Sequence, residues 1–140
     1  MTAKHYLLQI EWLDKRINRK LAEIDQLYAI ATSITVALKD VNVQASSEQD
    51  KLGNIVTKIT EANNEANALI DQFWDLKCAA WRLISKLDRE DYREILHQRY
   101  FLYKSIYQIA KEQGKDYENM KKMHGRALLE CDKILHVVCD

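Results

Sequence analysis

The sequence predicts an all-α protein, in which a long antiparallel, coiled-coil-like helical hairpin precedes a small C-terminal helix-turn-helix domain. Three observations lead to this prediction. The 140 residues include no proline and only three glycines, so few residues can break helices or shape β-hairpin turns. Apolar residues recur at helical spacing through most of the chain. Charged residues make up 30%, as expected of helices with solvated faces.

The most regular apolar pattern runs from Leu52 to Leu87 and predicts the second long helix. Its steps alternate between three and four residues over five heptads, which is the spacing of a helix that packs along a neighbour. The members of this seam are Leu52, Ile55, Ile59, Ala62, Ala66, Leu69, Phe73, Leu76, Ala80, Leu83 and Leu87.

A similar seam predicts the first long helix. Two of its steps break the strict alternation, so we expect this helix to be locally unwound relative to the second. The polar stretch 40–50 between the seams predicts the hairpin loop, with Ser46 or Ser47 as the cap of the second helix. The first seam consists of Tyr6, Ile10, Leu13, Ile17, Leu21, Ile24, Tyr28, Ala31, Ile34 and Leu38.

The second helix also carries a wide apolar stripe beside its seam, formed by Val56, Ile70, Trp74, Trp81 and Ile84. One partner helix would not cover it, so we expect a homo-oligomer, most simply a dimer. The alternative is that its aromatic residues pack onto the C-terminal helices of the same chain. The heptad phase ends near Leu87–Asp88, which predicts domains at 1–87 and 88–140, with Asp88 as the next N-cap.

Residues 105–128 carry the pattern that bears on function. Ser105 can cap a short helix, Gly114 can supply the left-handed conformation that ends it, and Asp116 can cap a second helix. Two short helices joined by a glycine turn form a helix-turn-helix. The net charge of the chain is zero, but residues 99–126 hold seven Lys or Arg against three acids. The predicted inward positions are Ile106, Ile109, Ala110, Met120, Met123, Ala127 and Leu128.

This segment resembles region 4 of bacterial sigma factors. Residues 96–101 match its first helix, residues 105–114 the helix before the turn, and residues 116–128 the recognition helix. More closely, the whole chain resembles phage-encoded regulators of the ArpU type, and residues 1–7 and 14–18 also carry that resemblance. The sequence departs from the sigma pattern at Gln113, Lys115 and Gly125, which predicts a looser domain.

The resemblance implies a sequence-specific regulator of phage late genes that binds double-stranded DNA in the bacterial cytoplasm, with RNA polymerase as a further partner. Bases would be contacted by Tyr117, Glu118, Lys121 and Lys122. Phosphates would be contacted by Lys104, Lys115 and Arg126. The alternative for each of these residues is a solvated helix face.

Other functions have little support in the sequence. His97, His124, His136, Cys131 and Cys139 do not have the spacing of a metal site, and no glycine-rich phosphate loop or nucleophile–base pair is present. We therefore expect no cofactor and no enzymatic activity. The apolar run at residues 6–8 is soon interrupted, so we expect no signal peptide and no membrane-spanning helix. The competing hypothesis is a coiled-coil structural or adaptor protein, such as a phage assembly factor.

Overall fold

A computed structural model describes residues 2–40 and 45–139 as five α-helices, with no strand in these ranges. The all-α prediction is therefore confirmed, including the long N-terminal helix. The helices are α1 (Ala3–Asp40), α2 (Ala45–Ser85), α3 (Glu90–Tyr100), α4 (Ile106–Gln113) and α5 (Tyr117–Cys139).

The chain divides into two compact units, which differ from the predicted domains 1–87 and 88–140. The first unit combines Met1–Asp14 with Phe73–Asp140, and the second is Lys15–Gln72. The physical reason is that α3, α4 and α5, which pack against one another, share their core with the first turns of α1 and the last turns of α2.

The core of the first unit draws on all five helices. Two hydrogen bonds also join the start of α1 to the C-terminal half. The backbone N–H of Ala3 donates to Asp132 Oδ1 at 2.6 Å, and the Tyr103 hydroxyl donates to Asp14 Oδ2 at 2.7 Å. The completely or almost completely buried side chains include Leu7, Ile10, Ile95, Leu96, Tyr100, Ile109, Met120 and Cys131.

The second unit contains a small apolar cluster and an ion pair. Ile24 packs with Ala62 and Ala66, and Leu27 covers this cluster. Lys20 Nζ lies 2.8 Å from Glu65 Oε2 and 3.0 Å from Glu23 Oε2. These contacts bring residues 20–27 of α1 against residues 62–66 of α2.

The inward row of α1 differs from the predicted seam at two positions. Leu21 and Tyr28 are exposed, at 42% and 52%, whereas Lys20 and Leu27 are half-buried. When Lys20 and Leu27 are counted in the inward row in place of Leu21 and Tyr28, the steps along α1 alternate strictly between three and four residues. The row therefore does not require α1 to be locally unwound. Lys20, which pairs with Glu65, occupies the seam position that the prediction gave to Leu21.

The seam predicted for α2 is buried or half-buried at every position. The loop predicted at 40–50 is too long, because α2 already begins at Ala45 and residues 41–44 lie outside the described ranges. Ser46 and Ser47 therefore lie inside the helix instead of capping it. No glycine or proline interrupts residues 45–52. In the extra turn of the helix, Lys51 Nζ lies 3.4 Å from Glu48 Oε1.

Two further predictions in this part of the chain are wrong. Asp88 does not cap α3, because Arg89 occupies the N-cap position without a side-chain hydrogen bond. Ile84 does not belong to the exposed stripe of α2, because it is 6% exposed and packs in the core. Val56, Ile70, Trp74 and Trp81 of that stripe are exposed.

One helix meets the length and composition criteria for a membrane span, contrary to expectation. Residues 3–39 include an 18-residue window of mean hydropathy 1.2, of which 6% is buried. The apolar residues that raise the hydropathy of this window lie beyond residues 6–8. They include Ile30 and Val36, which are exposed. The core helices of globular proteins meet the same criteria, so this finding assigns no location.

Candidate nucleic-acid interface

Helix α4 begins and ends as its sequence predicts. The Ser105 hydroxyl accepts a 3.1 Å hydrogen bond from the Gln108 N–H, which satisfies one free donor of the first turn. Gly114 ends the helix in the left-handed conformation, with φ 63° and ψ 32°. Its N–H donates to the Lys111 carbonyl and the Lys115 N–H donates to the Ala110 carbonyl, the hydrogen-bond pattern of a Schellman motif.

Helix α5 begins at Tyr117, directly after a second N-cap residue, Asp116. The Asp116 carboxylate accepts a 3.3 Å hydrogen bond from the Asn119 N–H. The inward row of α5 holds Met120 and Ala127, which are 1% and 0% exposed, and these pack in the same core as Ile109 and Ala110 of α4. Helices α4 and α5 are therefore each fixed at their start by a cap and along one side by the core. Helix α5 continues to Cys139, beyond the recognition helix predicted at 116–128.

The outermost row of α5 is opposite this buried row. Residues Glu118, Lys122, Gly125 and Leu129 follow the i, i+4, i+7, i+11 spacing of one helix face, and all four are exposed. Gly125 has no neighbouring atom within 4 Å of the point where a Cβ would lie. Packing inside the molecule therefore does not require a glycine there.

One flank of α5 carries an aromatic and cationic cluster. The Tyr117 ring meets the Tyr107 ring edge-on, with centroids 6.0 Å apart, and Lys121 Nζ lies 6.0 Å from the Tyr117 centroid. The cluster brings the first turns of α4 and α5 side by side. Sequence reasoning missed Tyr107, which is 64% exposed. The inward positions Ile106, Ile109 and Ala110 already imply that Tyr107 points outward.

Lys104 is engaged in an ion pair within the first unit. Its Nζ lies 2.8 Å from Glu112 Oε2, and Gln108 Nε2 donates to the other carboxylate oxygen of Glu112. The hydrogen bond from Lys104 is the main cause that lowers the pKa of Glu112 below its usual value. A phosphate that recruits Lys104 would have to compete with this carboxylate, although solvent and salt screen an exposed ion pair of this kind.

Lys115 lines an open groove of about 460 Å³ together with Glu90, Asp91 and Glu94. Two of these carboxylates are already compensated, because Arg93 pairs with Glu90 and Arg89 pairs with Asp91. Arg126, by contrast, is exposed on the flank of α5 opposite to Lys121.

A polar pair between buried Tyr100 and half-buried His124 joins α3 to α5. The Tyr100 hydroxyl and His124 Nε2 are 2.9 Å apart, and the two rings stack with centroids at 5.7 Å. Burial, assisted by the positive charges of Arg99 and Lys4, lowers the pKa of His124 to about 4. Burial likewise raises the pKa of Tyr100 to about 12. Both groups are therefore neutral near pH 7, and they pair α3 with α5.

The predicted site residues thus fall into three groups. Tyr117, Glu118, Lys121, Lys122 and Arg126 are exposed along α5, whereas Lys104 is paired and Lys115 lies at the groove lined by Glu90, Asp91 and Glu94. Within residues 2–40 and 45–139, no three His, Cys, Asp or Glu side chains are placed to hold a metal ion.

Comparisons of the chain with protein families, with curated proteins and with solved structures give no match.

Proposed function

We propose that this chain is a non-enzymatic, sequence-specific DNA-binding transcription regulator in which α4 and α5 form a helix-turn-helix. The observation that carries the proposal is the pair of capped helices around Gly114, whose second helix has a buried inner row and an exposed, cation-bearing outer surface. A helix that enters the major groove needs this division between a packed side and a side free to meet base edges.

Lys122, Glu118 and Lys121 are the proposed base contacts. Lys122 and Glu118 share the outermost row of α5 near its N-terminus, and Lys121 lies beside Tyr117 on one flank. Lysine can donate to guanine acceptors, and a glutamate can accept from the cytosine amino group. Tyr117 would present an apolar ring, held in place by Tyr107, to a thymine methyl group.

Arg126 is the leading candidate for a phosphate contact. Lys104 is a weaker candidate than the sequence suggested, because Glu112 competes for its charge. Lys115 stays a candidate, since Glu90 and Asp91 in the neighbouring groove already pair with arginines. Gly125 supports the same orientation of α5, because a missing side chain in the outermost row lets a duplex approach the helix closely.

The resemblance to sigma region 4 and to ArpU-type regulators adds the biological setting. It favours control of phage late genes in the bacterial cytoplasm, with RNA polymerase as a second partner. Both belong to the proposal.

The test is a salt titration of duplex binding, measured by fluorescence anisotropy, on the parent chain and on single alanine variants. Arg126→Ala should weaken binding to all sequences and reduce the slope of log K against log salt by about one. Lys58→Ala, an exposed lysine in the second unit, should change neither quantity and serves as the matched control. Lys20 is unsuitable as a control, because it bridges two glutamates.

A chain without duplex binding at any salt concentration contradicts the proposal and favours the structural or adaptor hypothesis. Equal loss of binding in Lys58→Ala and Arg126→Ala, with helicity intact by circular dichroism, would show that duplex binding depends on the overall positive charge of the chain and not on α5.

A further inference from the structure

The first unit exposes a second surface, on α2, that includes none of the proposed DNA contacts. Trp74 and Trp81 stand on one face of α2, at 63% and 57% exposure, and are separated by about 10 Å along the helix. Between them lies a groove of about 430 Å³ that is also lined by Lys77, Cys78 and Arg82. Two half-exposed tryptophans next to each other are a costly feature for a surface that stays in water.

The chain itself covers this surface only in part. The Trp81 ring meets His97 of α3 and Phe101, the C-cap residue of that helix, edge-on, at 5.7 and 5.6 Å between centroids. The intramolecular alternative for the stripe therefore accounts for one side of Trp81. More than half of each indole remains uncovered.

We propose that a second copy of this chain covers this surface, with the two α2 helices antiparallel and a two-fold axis between Lys77 and Cys78. This axis places Trp74 opposite the partner's Trp81, and Trp81 opposite the partner's Trp74. The same patch thus meets itself, as a two-fold interface requires. The inference does not depend on DNA binding.

Charged residues beside the tryptophans favour the antiparallel direction of the two α2 helices. Arg82 and Asp75 are both exposed on the same flank of α2 as Cys78. In the antiparallel arrangement, Arg82 lies within about 3 Å, along the helix axis, of the level of the partner's Asp75. A parallel two-fold pair would instead place the two copies of this flank on opposite sides of the interface, so Arg82 could not pair with the partner's Asp75.

Lys77 does not oppose the arrangement, although it lies next to the axis. Its Nζ is 5.4 Å from the Phe73 centroid and 6.0 Å from the Phe101 centroid, so the chain's own aromatic rings hold it. The two lysines of a dimer would therefore be drawn apart. Cys78, on the other flank, would lie close to the partner's Cys78.

The indoles supply part of the area that a stable interface needs. Four exposed indoles would bury about 600 Å², roughly half of the lower limit for stable interfaces, and the proposal requires the flanking residues of α2 to bury the remainder. Since the first unit contains α4 and α5 as well, the dimer would carry two copies of them related by the same two-fold axis.

Sedimentation equilibrium on the full chain tests the surface. The parent should dimerise, and Trp74→Ala should raise the dimer Kd by about 30-fold or more, as expected for a central tryptophan. Trp12→Ala, which removes a 46% exposed tryptophan from α1, should leave the Kd unchanged. A parent chain that stays monomeric at its highest soluble concentration, or a dimer that tolerates Trp74→Ala, overturns the proposal.

Mixing two charge variants tests the pairing without removing any apolar contact. Asp75→Arg and Arg82→Asp should each weaken self-association, because each places like charges opposite one another. An equal mixture should recover a heterodimer, since both cross-pairs then join Arg to Asp. Failure of the mixture to associate more tightly than either variant alone overturns the assigned register.

Cross-linking tests the position of the axis. In a Cys139→Ser background, diamide should take two electrons and two protons from the paired Cys78 thiols and form an intermolecular disulfide. Cysteine moved to position 85, as Ser85→Cys with Cys78→Ser, should cross-link poorly, because the two copies of residue 85 would be about 22 Å apart along the helices. Equal cross-linking at both positions overturns the antiparallel arrangement.

Discussion

Alanine substitutions at Gly125 and Gly114 should have opposite effects on stability. Neither glycine has an atom within 4 Å of the position of an added Cβ, so steric contact is absent at both. The difference lies in the backbone. Gly125 lies within helix α5, whereas Gly114 has φ 63° in the turn before it.

The expected magnitudes follow from these conformations. Glycine inside a helix is about 1 kcal/mol less favourable than alanine, so Gly125→Ala should raise the free energy of unfolding by about that amount. The left-handed conformation costs a residue with a Cβ about 1–2 kcal/mol, so Gly114→Ala should lower the free energy of unfolding by that amount. If a duplex approaches α5 closely, Gly125→Ala should also weaken DNA binding while it stabilises the fold.

Urea unfolding followed by circular dichroism at 222 nm measures both changes, and an unchanged m-value shows that the same surface is exposed. Destabilisation by Gly125→Ala would mean that the outer row of α5 is packed against something. A neutral Gly114→Ala would mean that the α4–α5 turn does not need the left-handed conformation. Either result would refute the reasoning about this pair of helices.

The remaining predictions concern the supports of the same helices. Because burial lowers the pKa of His124 to about 4, the unfolded chain binds the proton first as pH falls below about 6.5. Stability should therefore decrease between pH 6.5 and 4, by about 2 kcal/mol after allowance for partial solvent access, and urea titrations of His124→Gln should show a flatter pH dependence. Ser105→Ala should cost about 1 kcal/mol, measured by thermal unfolding, whereas Ser47→Ala should cost much less because Ser47 caps nothing.

Local chemistry explains which parts of the fold the sequence could predict. Ser105, Gly114 and Asp116 act on neighbouring residues, so their roles follow from identity and spacing. The period of α2 is likewise a local property. Lys20 was missed because a charged residue looks like an interruption until Glu65, 45 residues further along, supplies its partner.

Long-range contacts limit the prediction of units and of the site. The Ala3–Asp132 hydrogen bond joins the two ends of the chain, and no local pattern near either residue indicates it. The exposed face of α5 follows from helical periodicity. The Lys104–Glu112 pair depends on how the residues before α4 meet its last turn, so sequence spacing alone could not predict it.

Selection of bound sequences from random duplex DNA tests the central claim most directly. The proposal predicts enrichment of one defined sequence, and Lys122→Ala should relax the preference at one base pair by about 1–3 kcal/mol without loss of helicity. Duplex binding that enriches no sequence, or a selected sequence that is unchanged in Lys121→Ala, Lys122→Ala and Glu118→Ala, would contradict the assignment of α5 as the recognition helix.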